Sequence, residues 1–299
     1  PVFIIADSSG DRALSLRTSA SLNNLFMGEN AGAYNVVGIN NIGIGADTLS
    51  LNVAGNDNIA IGSSSLHSNS DGSINIAVGS SALLFNTNGD NNIAIGKDYL
   101  RNNTTRSSNI ATGPYSLNYN TTGINNSAYG MASLRYNTTG WFNTGAGVQT
   151  LYYTTTGSNN TAVGDSALRG NDAGSNSTAM GAEAMMYVDG SNNTAFGYNA
   201  GKGSSGSYST GSNNIFVGYK AADNFTSGSN NLVIGYDIDL ASTTGSNQLN
   251  IGNLIFGLGI DGTGTTLSSG NIGIGTNEPL SKLTTYGNLF LEGASRYIN

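Results

Sequence analysis

The chain has 299 residues, 43 of them Gly and only 3 Pro, and charged residues make up 10% of it, against roughly 25% in an ordinary globular protein. A formal net charge of −7 and a pI near 4.5 exclude the basic footprint that nucleic acid or an anionic lipid surface requires. Cys is absent, which excludes disulfides and thiolate metal centres, and no stretch reaches the ~18 apolar residues of a membrane span.

Few long apolar side chains per residue leave one route to a folded state: the apolar groups must be laid out regularly and shared between neighbours. Low charge also separates the chain from simple disorder, which combines low hydrophobicity with high net charge. The chain opens at Pro1 and carries no leader-like segment, so it reads as an excerpt of a longer or processed polypeptide. Residues 1–22 contain VFIIADSSGDRALSLRT, and the alternation Arg12-Ala13-Leu14-Ser15-Leu16 predicts strands that cap the first coil of a repeat region beginning at residue 23.

Residues 23–253 repeat. The Gly that closes each NNIAIG-like string stands at 28, 45, 62, 79, 96, 113, 130, 147, 164, 181, 197, 218, 235 and 252, and eleven of the thirteen steps are 17 residues. Four residues after it runs a Leu row, Leu49 to Leu168 and then Met185. Seven after it runs an Asn row, Asn52 to Asn137 and again Asn171; four before it runs a second, Asn41 to Asn160. Two before it runs a small row containing Ala60, Ala94 and Ala195, and ten after it a Gly row from Gly55 to Gly174 that skips one coil.

Asn92-Ile93-Ala94-Ile95-Gly96 alternates large and small, as a strand of period two does, while Asn and Gly supply the turns. Seventeen residues span roughly 56 Å of extended chain, enough for two short strands and two turns, and coils stacked at about 4.8 Å place identical residues above one another. The prediction is an all-β, parallel β-solenoid of 17-residue coils in which Ala, Gly and Leu fill the narrow interior and Ile and Val face outward, toward a partner that covers them. The row containing Ala94 and Ala111 stays small, whereas the row of Ile95, Thr112, Tyr129 and Ala146 varies, and a tight space enforces size more than an open one. Fourteen coils give a rod of roughly 65 Å.

The 21-residue step holds an insertion around Gly203–Gly211, expected as a surface loop. Residues 254–299 lose the period; Glu278-Pro279 marks a turn, and the segment reads as a neck that stops mid-pattern at Arg296-Tyr297-Ile298-Asn299.

The strings NIAIG at 58–62 and 92–96, NIAVG at 75–79 and NTAVG at 160–164 resemble the head repeat of YadA-like trimeric autotransporter adhesins. That resemblance implies a left-handed parallel β-roll, a parallel homotrimer and a head that binds host surfaces. The segment from Gly270 to Asn299 resembles the stretch preceding the intramolecular chaperone domain of phage tail fibres. An extracellular setting, on a bacterial surface or a virion, is implied by either.

Side chains that could carry chemistry are few. His67, the only His, is expected as an exposed turn residue, with no partners for a triad or a metal. Asp57, Asp71 and Asp90 lie in turns but form no array, so calcium is not expected, and no cofactor or catalytic set is assigned. Asn-x-Thr sequons such as the one at Asn103 recur because the repeat does. Thr104-Thr105, Thr121-Thr122, Thr138-Thr139 and Thr155-Thr156 read as turn formers, although a Thr array could bind ice. Tyr119, Tyr136, Tyr153 and Tyr187, six after the repeat Gly like Phe85, are the candidate surface-binding residues. They are expected either packed under the turn, the favoured reading, or exposed for sugar or protein contact.

Two functions stand side by side. One is a structural and adhesive fibre segment, homotrimeric, attaching to a glycan or protein receptor on a host surface, not an enzyme and not inserted in a membrane. The other is a monomeric ice- or carbohydrate-binding solenoid.

Overall fold

A computed structural model describes residues 2–6, 12–19, 22–206 and 208–287, and among them there are nineteen strands and no helix. β1 (Val2–Ala6) pairs antiparallel with β2 (Arg12–Ser19), and β2 runs antiparallel to β3 (Asn24–Met27), so the first edge of the stack is paired. From β3 the strands run parallel. Twelve of three residues each, β4 (Ile42–Ile44) to β15 (Leu232–Ile234), are followed by β16 (Gln248–Ile251). The register is the repeat itself: Ile59, Ala60 and Ile61 lie against Ile76, Ala77 and Val78. The molecule is a parallel β-solenoid with coils of about 17 residues. Past it, β17 (Ile255–Leu258) turns antiparallel to β16, β18 (Asn271–Ile274) antiparallel to β17, and β19 (Leu283–Thr285) pairs parallel with β18.

Each coil holds one three-residue strand, not two; the remainder is turn. The turns nevertheless bond coil to coil as strands do. Leu49 N–H donates to Ser65 O at 3.2 Å, Leu51 N–H to His67 O at 3.1 Å, and Ser64 N–H back to Ala46 O at 2.8 Å. This alternation of direction requires left-handed residues, and Ser64 (φ 58°) and Leu66 (φ 48°) are such a pair. A left-handed Leu costs about 1–2 kcal/mol. Burying its side chain returns about 1.5–3 kcal/mol, and Leu49 through Leu168 are 0% exposed. Solvent exclusion therefore offsets the backbone cost once per coil.

The interior contains the Ala row, the Leu row and both Asn rows, all buried. Ile95, by contrast, is 48% exposed, so the Ile/Val side lies outside the roll as size tolerance predicted. Buried amides must be fully bonded to be tolerated. Asn58 Nδ2 donates to Asn41 Oδ1 (3.0 Å) and Gly72 O (2.9 Å), and its own Oδ1 accepts Asn75 N–H (3.0 Å) and Nδ2 (3.1 Å). Asn69 Nδ2, in the other row, donates to Asn52 Oδ1 (2.8 Å) and to the same Gly72 carbonyl (2.8 Å). The two ladders thus meet at one Gly oxygen per coil. A Cβ on Gly55 would collide with that oxygen and stand 2.6 Å from Asn69 Nδ2, which explains the Gly row. The repeat Gly has a double reason: at Gly62 φ is 117°, and a Cβ would lie 2.7 Å from Gly79 C in the next coil.

The exceptions are informative. Arg106 replaces one Gly of the row. Elsewhere the turn amides bond the following coil, as Thr121, Thr122 and Gly123 N–H do to Thr138 O. Among the described residues, Thr104, Thr105 and Arg106 make no such bonds. At the end of the stack Gln248 takes the Asn position. Its N–H still donates to Asn231 Oδ1 (2.9 Å), but its amide turns back on its own turn, Nε2 to Ser242 O and Oε1 from Ser242 N–H, both 2.8 Å.

Candidate functional site

In-register stacking turns a sequence row into a physical column. The rings of Tyr119 and Tyr136 lie 5.1 Å apart with planes at 6°, and those of Tyr136 and Tyr153 5.8 Å apart at 9°. Behind them Tyr152 packs edge-on against Tyr153 at 4.6 Å. Arg135 Nη1 donates to the Tyr152 hydroxyl at 3.1 Å, and the Arg169 guanidinium stands 5.2 Å from the Tyr153 ring. The column is not packed away: Tyr119 and Tyr153 keep 41% and 38% of their surface in solvent. The expectation that these rings pack under the turn is corrected, because rings in one column cover each other's faces and leave their edges in water.

Tyr187 is not brought to the other three. Gly170 occupies the intervening rung, and the insertion reaches back to it. The ring of Tyr208 packs on Gly170, where a Cβ would lie 2.7 Å from Tyr208 Cδ1, and it meets Tyr187 at 6.4 Å with planes tilted 47°. Ser209 pins this part of the insertion. It bridges Val188, its N–H donates to Tyr187 O (2.8 Å), and its buried hydroxyl donates to Phe225 O (3.1 Å). The insertion is therefore tied to the coils at its C-terminal end. Nearby, Lys202 pairs with Glu183 at 2.6 Å, and this bond pushes the Lys202 ammonium above its ordinary pKa.

Between Tyr153 and Tyr208 lies a cleft of about 360 Å³, lined also by Tyr136, Thr155, Gly170, Asp172 and Asp189. Asp189 Oδ1 accepts Ala173 N–H (2.8 Å) and Gly174 N–H (3.0 Å), and no described residue donates to its other oxygen. Asp172 accepts the Thr155 hydroxyl. The cleft therefore combines aromatic faces with carboxylate acceptors.

The sequence missed a second column. Tyr198, Tyr219 and Tyr236 stack at 5.4 and 5.0 Å, with Tyr236 74% exposed. Its signal was present, since each of these residues directly follows a repeat Gly.

The other candidates are accounted for by packing. His67 is half-buried rather than exposed, its Nδ1 within 3.2 Å of both Ser50 Oγ and Asp47 O, because its side chain lies along neighbouring coils. Asp57 accepts Asn40 Nδ2 (2.9 Å) and Asp90 accepts Ser73 N–H (2.7 Å), while Asp71 takes a third row beside Ser70. Among the described residues no cluster of three or more His, Cys, Asp or Glu could hold a metal ion. Thr121 and Thr138 donate their hydroxyls to carbonyls of the next coil, both at 3.0 Å, as turn formers do. Asn103 is buried, with Nδ2 bonded to Asn86 Oδ1 and Arg106 O, both 2.9 Å, so its sequon carries no reachable amide. No family model, curated protein or solved structure matches this chain.

Proposed function

We propose that the chain is a structural and adhesive fibre segment, a parallel homotrimer on a bacterial surface or phage virion, that attaches to a host or other surface without catalysis. The observation that supports assembly is the outer strand face. Ile42, Ile59, Ile76, Ile93 and Ile110 form one row, and Ile44, Ile61, Val78 and Ile95 the next. In the single chain Ile61 and Ile95 expose 37% and 48% of their surface. A contiguous apolar face of this kind marks an interaction surface, and covering each side chain contributes about 1.5–3 kcal/mol. The threefold symmetry and the extracellular setting derive from the likeness of the NIAIG strings to YadA-like heads and of the C-terminal segment to tail fibres. The tyrosine column is the surface that would meet a glycan or protein receptor.

Sedimentation and light scattering test the reading. The expected result is a trimer that dissociates when Ile61→Asp and Ile95→Asp are combined, because a carboxylate buried without a partner is costly. A stable, rod-shaped monomer would sink it. That outcome favours the second reading, a solitary carbohydrate-binding solenoid, for which the cleft beside Tyr153 speaks. The ice-binding form of that reading has less support, since the turn hydroxyls of Thr121 and Thr138 are bonded to carbonyls.

A further inference from the structure

The tyrosine column is interrupted once, and the interruption has the features of a ligand site. Parallel coils hold Tyr119, Tyr136 and Tyr153 at 5.1 and 5.8 Å, ring on ring, with no room between them. Tyr153 uses one face on Tyr136; toward the coil of Gly170 no further ring stacks on it, and the Arg169 guanidinium stands 5.2 Å from its centroid. Two coil steps separate Tyr153 from Tyr187, about 9.6 Å at ordinary strand spacing. Tyr208 enters this interval from the insertion and packs on Gly170, and the cleft of about 360 Å³ remains between it and Tyr153.

We infer that this cleft binds a neutral saccharide, one sugar ring lying between Tyr153 and Tyr208, both of which are partly exposed. This deepens the adhesive reading above and rests on it. Three observations choose the ligand class. An exposed aromatic face offers flat apolar area beside a polar edge, which suits the C–H face of a pyranose ring. The carboxylates of Asp172 and Asp189 line the same cleft, and ionised acceptors make the stronger hydrogen bonds to hydroxyl groups. Two carboxylates in a chain of net charge −7 disfavour phosphates and sialic acids. A cationic ligand is disfavoured by Arg169, whose guanidinium already stands 5.2 Å from the Tyr153 ring. The size agrees with a small ligand site, since such clefts run from roughly 300 Å³ upward.

The test uses the full chain on an array of neutral hexose and N-acetylhexosamine oligosaccharides with sialylated counterparts, followed by titration with the retained neutral oligosaccharides and with choline. Retention of neutral oligosaccharides is expected, weakened about tenfold or more by Tyr208→Ala, which removes one aromatic wall. Asp189→Asn keeps the acceptor for Ala173 and Gly174 N–H and removes the charge, and it should weaken binding likewise. Gly170→Ala, which displaces Tyr208, is expected to do the same. Tyr219→Ala, in the other column, should leave binding unchanged, and circular dichroism melts confirm that each variant is folded. No retention of neutral oligosaccharides, binding indifferent to all three cleft variants, or choline binding in their place would overturn the assignment. Adhesion of chain-coated beads to cells, measured in parallel, separates the two readings. Adhering beads with a blank array leave the adhesive fibre standing without this site; oligosaccharide binding without adhesion leaves the site standing without the fibre function.

Discussion

Substituting Asn58 tests whether the interior is held by amide ladders. Asn58 is 0% exposed, and both hydrogens of its amide and both lone pairs of its carbonyl are engaged. In Asn58→Ala, Asn41 Oδ1 keeps the backbone N–H of residue 58 (3.0 Å), and Gly72 O keeps Asn69 Nδ2 (2.8 Å). The Asn75 N–H, and one hydrogen of its amide, lose their acceptor inside the roll. Each orphaned buried donor costs about 1–3 kcal/mol, so the total is about 3 kcal/mol. That lowers the thermal midpoint by roughly 5–10 °C for a chain of this size. Asn58→Asp is isosteric yet should be at least as damaging near neutral pH, because an oxygen then faces Asn41 Oδ1 and Gly72 O where an NH₂ donated. Burial and those two oxygens raise the introduced carboxyl's folded pKa above its unfolded value of about 3.9. The folded state is therefore favoured below the unfolded pKa, and that advantage is lost as pH rises through the folded pKa. Circular dichroism melts at pH 7 and near pH 4 should show the gap to the unsubstituted chain narrowing on acidification. Asn91→Asp is the control, since Asn91 is exposed and Asp57 already holds the equivalent place two repeats earlier. Asn58→Asp melting like the unsubstituted chain at pH 7 would refute the ladder as an energetic element.

Leu100→Ala opens a cavity in the Leu row and should cost about 3–4 kcal/mol, read by chemical denaturation; Leu100 is 0% exposed. Arg106→Gly should restore the turn bonds missing at Thr104–Arg106 and raise stability by about 1 kcal/mol, after the entropic cost of Gly is subtracted; a fall in the thermal midpoint would refute that account of the seam. Asp261 accepts the Ser269 hydroxyl (2.6 Å), the Ser269 N–H (2.7 Å) and the Ser268 hydroxyl (3.2 Å), bonds that hold its carboxyl below the usual range. Its stabilisation of the loop is present above the unfolded pKa near 3.9 and lost as pH falls through the folded value. The protection of the Ser269 amide, its exchange rate relative to the intrinsic rate at each pH, should fall over that acid range and not near neutrality.

Much of the fold was legible because stacking writes space into the sequence. Residues that lie above one another share a register position, and from Gly43 to Ala195 the narrow interior keeps the middle strand position to Ala or Gly beside Leu and Asn. The local backbone was not legible. Leu100, at φ 47°, adopts a conformation that residue preference assigns to Gly or Asn, so half of each coil read as a strand when it is a chain of turns. The tyrosine column could be read as a row, but its exposure could not, since burial depends on what lies beside the column. The role of Tyr208 was invisible, because an insertion outside the register can return to any coil, and only the space left by Gly170 says where.

Gln248 acts as punctuation. One methylene longer than Asn, it ends a one-way relay in which the backbone N–H of each rung donates to the side-chain oxygen of the rung before it, and it does so by closing its own amide on Ser242. Nothing upstream counts coils, since each amide senses only the coil on either side. Rod length is then a modular property. A seventeen-residue unit duplicated in frame anywhere between two Asn rungs should extend the rod without retuning the rest, whereas Gln248→Asn would reopen the relay at the boundary where β17 reverses direction.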